Sequence, residues 1–353
     1  MERIRFAYLQ KSPSGHANAC LRALAATGRA ELFVTMPPTL EDSPHEIEPA
    51  DWIDRTYPLA SLRQDDGLIS ALRDFNPDVT LIIGWERQAY RRCARALRGS
   101  SVRVVCMDNQ WLRTPKQLLG IACSRIYLRP YFDAAFLPGP RQRDYALRLG
   151  FPRDQIFEGF YAADVAAFGW VPPLDSQGAD ARRAFLFVGR LIEPKGIRIL
   201  VEAYASYRDT VADPWPLIVV GQGALEALLR GRSGIELRGF VGAADLAGEM
   251  GRASFLILPS TFEPWGVVVH EAAAAGLGCI CTTSVGAADA FVRDGENGRI
   301  VEPLDVGGLA DAMRWAHSLS PEQLATVSRV SRSLAERVTP ERWAATVLAM
   351  AKS

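Results

Sequence analysis

The stretch Ala253-Ser-Phe-Leu-Ile-Leu-Pro-Ser-Thr-Phe-Glu263-Pro-Trp-Gly-Val-Val-Val-His-Glu271 decides the fold. Its first part, Ala253 to Leu258, is a short apolar run closed by Pro259-Ser260, the pattern of a strand buried on both faces of a parallel sheet. Gly266 to Ala275 reads as the following helix. Glu263 then falls on the loop at the carboxyl end of a strand, where open α/β sheets bind ligands, and Glu271 falls on the helix. Backbone N–H groups near Gly266 and Val267, at the helix amino end, are free to meet a phosphate. Taken alone, two acids at this spacing read more readily as an exposed loop acid and a solvated helix residue, and the surrounding residues change that balance.

Working outward, short apolar runs alternate with helical spacing along the whole chain. In the first half the strands are expected at Ile4 to Leu9, Glu31 to Met36, Val79 to Ile83, Val102 to Met107 and Ala134 to Leu137. Helices are expected from His16 to Ala26, Arg87 to Leu97 and Pro140 to Leu149. The second half repeats the pattern with strands at Ala184 to Val188, Leu217 to Val220, Ile235 to Leu237, Ser254 to Leu258 and Gly278 to Thr282. Such alternation argues for parallel sheets covered on both faces. A chain of 353 residues with 48% hydrophobic residues is long enough for two cores. The turn-rich stretch from Gly169 to Asp180 is the natural boundary, giving domains at 1–168 and 169–338, with a last helical stretch, 339–353, that could cross back to the first domain.

Composition excludes several classes. No run of eighteen apolar residues appears and the amino terminus lacks a signal-peptide core, so neither a spanning segment nor export is expected. The six cysteines lack metal-ligand spacing and read as buried reduced thiols, which points to the cytoplasm. The four histidines form no ligand pattern, and no Asp-x-Asp occurs anywhere, so no metal site is expected. Zero net charge argues against nucleic acid as a partner. Charge is unevenly spread, however. Arg87 to Arg148 holds thirteen basic residues against Asp108, Asp133 and Asp144, a local balance of +10.

Two glycine loops follow strands of the second half. Gly189-Arg-Leu-Ile-Glu-Pro-Lys195-Gly196 would project Arg190 and Lys195 from the sheet's carboxyl edge, where two fixed cations can neutralise a diphosphate. The bland alternative is a glycine-capped turn with two solvated cations. Val219-Val-Gly-Gln-Gly223 ends a strand and opens a helix. Gly221-x-Gly223-x-x-Glu226 lacks the third glycine of a dinucleotide fingerprint, so it reads as a tight turn beside a nucleotide rather than an NAD loop.

The order Gly189-Arg190…Lys195-Gly196, Val-Val-Gly-Gln-Gly, Arg238-Gly-Phe-Val241, Pro259-Ser…Glu263-Pro-Trp-Gly…Glu271-Ala-x-x-x-Gly276 and Arg293-Asp-Gly-Glu-Asn-Gly298 resembles the carboxyl-terminal domain of the family 4 retaining glycosyltransferases. The resemblance implies an α/β GT-B fold, two doubly wound Rossmann-like domains facing across a cleft. It implies transfer of a sugar from a UDP- or GDP-sugar to a hydroxyl acceptor, without a metal or cofactor, in glycan, polysaccharide or glycolipid biosynthesis. Glu263 would contact hydroxyls of the donor sugar and Glu271 those of the ribose. Arg190 and Lys195 would hold the diphosphate, with Gly189, Gly221, Gly223, Pro264, Trp265, Gly266 and Val267 around it, and the backbone from Arg238 through Phe240 to Val241 would meet the base. The leaving phosphate takes the acceptor's proton in this family, so Glu263 is not cast as a base.

The first half matches the family less well. The glycine-rich loop after the first strand is thin, Ser12-Pro-Ser-Gly15-His16, and Asp108-Asn109 stands where a histidine is common. Asp108 could orient an acceptor or donor hydroxyl or cap a helix, and His16 could be a cap-region residue or part of the site. The stretch from Trp111 to Phe132 interleaves aromatics and cations, which suits either an anionic membrane face at the inner side of the plasma membrane or a packed helix with solvated cations. A lipid-linked acceptor would need the former. Rival readings are a nucleotide-sugar 2-epimerase of the same fold and a non-catalytic membrane- or partner-binding module.

Overall fold

A computed structural model of the chain describes residues 3–10, 14–36, 51–59, 66–169, 171 and 182–351. The boundary stretch read from Gly169 to Asp180 lies almost wholly outside the described residues, as do Ser12 and Pro13 of the first loop. The chain divides into two compact units, residues 1–162 with 339–353, and residues 163–338. The division falls between Ala162 and Ala163, ahead of the turn-rich stretch.

The first unit runs β1 (Ile4–Leu9), α1 (Gly15–Ala26), β2 (Ala30–Met36), β3 (Arg55–Pro58), α2 (Asp66–Phe75) and β4 (Val79–Ile83). It continues through α3 (Gln88–Ala96), β5 (Val102–Cys106), α4 (Pro115–Tyr127), β6 (Ala134–Leu137), α5 (Pro140–Arg148) and β7 (Ile156–Glu158). The seven strands are parallel, in the order β3-β2-β1-β4-β5-β6-β7. The central strands are apolar on both faces because helices cover both. Leu9, Ile82, Val105 and Leu137 are completely buried, in one cluster with Leu68, Leu72 and Tyr90. The first strand is pinned at its end: Gln10 N–H donates to Thr35 Oγ1 at 2.9 Å, and the Tyr90 hydroxyl donates to Gln10 O.

The second unit runs α6 (Val165–Gly169), β8 (Phe185–Val188), α7 (Ile197–Arg208), β9 (Leu217–Val220), β10 (Ile235–Gly239), α8 (Ala243–Met250) and β11 (Phe255–Leu258). After these come α9 (Val267–Ala274), β12 (Gly278–Thr282), α10 (Ala288–Phe291), β13 (Gly298–Val301), α11 (Val306–His317) and α12 (Pro321–Ala335). Its six parallel strands are ordered β10-β9-β8-β11-β12-β13. Both sheets thus reverse direction beside their first strand, between β1 and β4 and between β8 and β11. Ligands of doubly wound sheets bind at such switch points, outside the carboxyl ends of the strands. The helix expected to follow Gly221-Gln-Gly223 is a correction: only a short 3₁₀ turn, Glu226–Leu228, follows.

The last helix, α13 (Pro340–Met350), belongs to the first unit. Thr339 caps it, and Trp343 is buried against Phe136 and Tyr8 with its indole N–H donating to Phe160 O at 3.0 Å. Among the described residues no helix is long and apolar enough to cross a membrane.

Candidate active site

The second unit's site begins with its glycines. A Cβ on Gly221 would sit 1.9 Å from Gly189 O, and one on Gly223 would sit 2.5 Å from Leu191 O. One on Gly196, whose φ is +70°, would sit 2.0 Å from Pro259 O. Only glycine permits these approaches, and the loops after β8, β9 and β11 therefore interlock backbone to backbone. Leu191 N–H donates to Gln222 O at 2.8 Å, Leu225 N–H to Leu191 O at 3.0 Å, and Thr261 N–H to Pro194 O at 2.9 Å. Gly221 and Gly223 spend their missing side chains on holding the β8 loop.

That interlocking places the charged residues. Lys195 ends a 3₁₀ turn, Glu193–Lys195, on the β8 loop, and its ammonium pairs with the Glu263 carboxylate on the β11 loop. Both side chains are mostly buried, 18% and 13% exposed. Glu263 is fixed at its backbone as well, bridged to Val285 and accepting from Gly286 N–H at 3.1 Å. Arg190, on the same loop as Lys195, is exposed and makes no ion pair among the described residues. Two loops of the switch point thus bring Lys195 and the Glu263 carboxylate together, with Arg190 on the first of them.

Gly266, with φ of +92°, turns the chain into α9. Val267 follows as the first helical residue, and no acid stands in the first turn. The helix dipole and free N–H groups there favour an anion. Trp265, beside it, sends its ring into the core against Phe291, 6.2 Å away and edge-on. Any ligand contact from Trp265 must come from its backbone. Pro264 holds the same loop, its carbonyl lying where a Cβ on Gly286 would fall, at 2.2 Å.

Glu271, one helical turn further on, is half-buried and has no hydrogen-bond or ion-pair partner among the described residues. Burial without a compensating partner pushes its carboxyl up to about 7. Such a group is poised to accept hydroxyl donors, which favour the charged form. The neighbouring His270 has a structural task that the sequence reading did not assign. Its Nδ1 accepts from Ala163 N–H, its Nε2 donates to Ala335 O, both at 3.0 Å, and its ring stacks on Phe291. Burial holds it neutral, with its pKa down to about 4.

The expected base contact is less assembled. Arg238 lies on β10 at the sheet edge, and its guanidinium pairs with Glu236 at 2.6 Å and Glu249 at 3.4 Å. Beyond it Phe240 is 47% exposed, next to Val241. The Arg293 to Gly298 stretch is a structural turn: Asn297 is buried and bonds Arg293 N–H, Phe291 O and Ser331 Oγ.

In the first unit, Asp108 follows β5, and its role as a helix cap is ruled out. α4 begins at Pro115 and is capped by Thr114, whose side chain accepts from Gln117 N–H. The Asp108 carboxylate instead accepts from the Tyr161 hydroxyl at 3.3 Å. Tyr161 stands edge-on to the His16 ring at 5.2 Å, and His16 is 3.3 Å from Ser14 Oγ. Gly15, exposed, opens α1 beside them. His16 and Asp108 are thus joined through Tyr161, a residue no motif singled out. Of the six cysteines, Cys123 departs from expectation: it is exposed on α4, while the other five are buried.

Residues 182–318 match the family model described as glycosyl transferases group 1. Glycogen synthase of Mycobacterium tuberculosis is 34% identical over 163 residues, 44% of this chain and 38% of that one. Phosphatidyl-myo-inositol mannosyltransferase of Mycobacterium leprae is 36% identical over 141 residues, 37% of this chain and 36% of that one. The chain spans well under half the length of these curated relatives. Among solved structures, Anabaena Alr3699/HepE in complex with UDP superposes with a TM-score of 0.73 at 16% identity, over 99% of both chains. A trehalose-6-phosphate protein of E. coli bound with UDP-2-fluoro glucose gives 0.75 at 12% identity, over 99% of both chains. Residues 182–318 therefore stand with the glycosyl transferases group 1 family, on a chain with the two parallel-sheet Rossmann-like domains of the GT-B fold.

Proposed function

We propose that the chain is a retaining glycosyltransferase of the family 4 type, with the Glu263-x7-Glu271 motif at its donor site. It takes the sugar of a UDP- or GDP-sugar and passes it to a hydroxyl of a glycan or lipid-linked acceptor, needing no metal. The observation that carries this reading is the Lys195–Glu263 pair at the second switch point, with the exposed Arg190 on the same loop as Lys195 and the amino end of α9 following Glu263 in the chain. Without ligand the carboxylate neutralises Lys195. With a donor bound, Lys195 and Arg190 face the diphosphate, Glu263 turns to the sugar hydroxyls and Glu271 to the ribose. The departing nucleoside diphosphate gains negative charge, and preorganised cations and N–H groups stabilise that charge most in the transition state. The leaving phosphate then accepts the acceptor's proton on the same face.

Thermal unfolding against a panel of nucleotides tests the donor site. A nucleoside diphosphate at a hundred times its dissociation constant adds about 2.7 kcal/mol of stability. UDP or GDP should raise the unfolding temperature where AMP and NAD do not. Equal stabilisation by NAD, or none by any nucleoside diphosphate, sinks the reading. Release of nucleotide only when an acceptor hydroxyl is supplied separates transfer from epimerisation.

A further inference from the structure

Helix α4 is apolar on two sides, one against the core and one exposed. Its inward side sets Ile121 and Tyr127 against the core, between polar and small residues: the Gln117 amide bonds Gln110 O and Leu112 N–H at 2.8 Å each, and Ser124 donates to Ile121 O at 2.9 Å. Gly120 leaves room for the hydroxyls of Tyr127 and Tyr145, and Ser124 is the one buried residue of the helix. The outward face is apolar. Leu118 is 56% exposed, Leu119 67% and Ile126 80%, and Leu112, just before the helix, is 48%. These make up four of the seven large hydrophobic side chains exposed among the described residues. At helical spacing, Leu118, Leu119, Ala122 and Ile126 form one stripe, and Lys116 and Arg125 fall on its two borders.

Charge says what covers this stripe. From Asn109 to Phe132 there is no Asp or Glu, and the exposed Arg113, Lys116 and Arg125 make no ion pair among the described residues. A stripe of aliphatic side chains rimmed by unpaired cations matches a bilayer interface, with aliphatic groups at the acyl boundary and cations among phosphate headgroups. A second copy fits poorly, because a two-fold contact would press the same three cations against their counterparts. We propose that α4, with Leu112 and Arg113 before it, docks the protein onto an anionic lipid surface. Lipid docking is independent of the transferase reading, since it requires no donor and no turnover. It would set the loop that carries Asp108 close to the headgroups, so that acceptor hydroxyls are presented there.

The test uses the full chain with phosphatidylcholine vesicles, with and without phosphatidylglycerol. Cys123, the exposed thiol on this helix, takes an environment-sensitive dye, and unlabelled protein is followed in parallel by vesicle flotation. Expected are flotation with phosphatidylglycerol vesicles only, a blue shift of the dye, and weakening as salt rises. The double substitution Leu119→Glu with Ile126→Glu should lower binding at least tenfold, and Lys116→Gln with Arg125→Gln several-fold. All four side chains are exposed, so circular dichroism and thermal unfolding should stay unchanged. Four outcomes overturn the proposal. The first is no binding to anionic vesicles, and the second is equal binding to neutral ones. The third is undiminished binding by the double Glu variant, and the fourth a concentration-dependent dimer that the same variant abolishes.

Discussion

At the second switch point, three loops are held by backbone contacts that only glycine allows, and the charged side chains ride on that frame. At the carboxyl ends of the first sheet, loops far apart in sequence are joined by side chains instead, His16 to Tyr161 to Asp108. The first arrangement rests on close backbone approaches and is written into local motifs. The second rests on side-chain contacts between loops, a 3.3 Å hydrogen bond and a 5.2 Å edge-on ring contact. Under the proposed function, a donor pocket that always meets the same diphosphate suits the first construction, and an acceptor surface suits the second. Substitutions should therefore hurt most, and most abruptly, in the second unit.

The largest effect is expected at Glu263. If Glu263 meets the donor sugar as proposed, Glu263→Ala removes a preorganised group and should lower kcat about a hundredfold or more. UDP or GDP affinity should change little, because Lys195 remains to meet the diphosphate. Parallel loss of nucleotide affinity and turnover would recast Glu263 as a prop for the β8 loop. Gly221→Ala comes next. Its Cβ would lie 1.9 Å from Gly189 O, so the β8 or β9 loop must yield. Overpacking together with the unfavourable φ of +140° should cost about 2–4 kcal/mol, read as a fall of roughly 5–15 °C in the second unit's unfolding temperature. Nucleotide binding should weaken with it. If Gly221→Ala melted normally and bound normally, the interlocked frame would lose its claim.

Glu271 sharpens the comparison through pH. Its carboxyl is raised from the ordinary 4.5 to about 7 by burial, with no charged neighbour responsible. The folded protein then keeps a proton that the unfolded chain has released, so stability falls as pH rises from about 4.5 to 7 and levels off above. The full penalty is up to about 3 kcal/mol at 1.36 kcal/mol per unit. Under the proposed function ribose hydroxyls donate to the ionised form, so nucleotide binding should expel the proton. Affinity should rise on the order of tenfold between pH 6 and pH 8, with proton release seen by calorimetry in buffers of different ionisation heat. Glu271→Gln should flatten that profile, and a flat profile in the unsubstituted protein would remove Glu271 from the ribose.

The same contrast explains what could be read from the chain alone. The central strands of both sheets are covered on two faces, so each leaves an unbroken apolar run, and β1, β4, β6, β9 and β12 fall at the expected residues. The strands that escaped notice are β3 (Arg55–Pro58), β7 (Ile156–Glu158) and β13 (Gly298–Val301), all of them sheet edges. An edge strand is half-buried at best and carries polar residues, so no run marks it. Site residues divide likewise. Gly189, Lys195, Gly196, Glu263 and Gly266 sit in short motifs whose spacing encodes a strand, a turn and a helix. Tyr161 meets His16 and Asp108 only because the sheet brings together loops from three parts of the chain. His270, inside a legible motif, escaped for another reason: its two partners, Ala163 and Ala335, are backbone groups that leave no mark in the sequence.

Tyr161 offers the mildest test. The hydroxyl reaches Asp108 at 3.3 Å, a long contact for a charge-assisted bond, so its removal should cost less than the usual 1.5–3 kcal/mol. Tyr161→Phe keeps the ring against His16 and Phe160, which stands 4.5 Å away, and should leave folding within about 1 kcal/mol of the parent. If the cluster orients an acceptor hydroxyl, the substitution should raise the acceptor KM about three- to tenfold. The donor KM, set in the other unit, should not move. Asp108→Ala should act in the same direction and add little through this contact once Tyr161→Phe is present, because both changes break the hydrogen bond the two residues share. An unchanged acceptor KM in both variants, or a shifted donor KM, would separate this cluster from the acceptor and leave it as a tie between the loops after β1, β5 and β7.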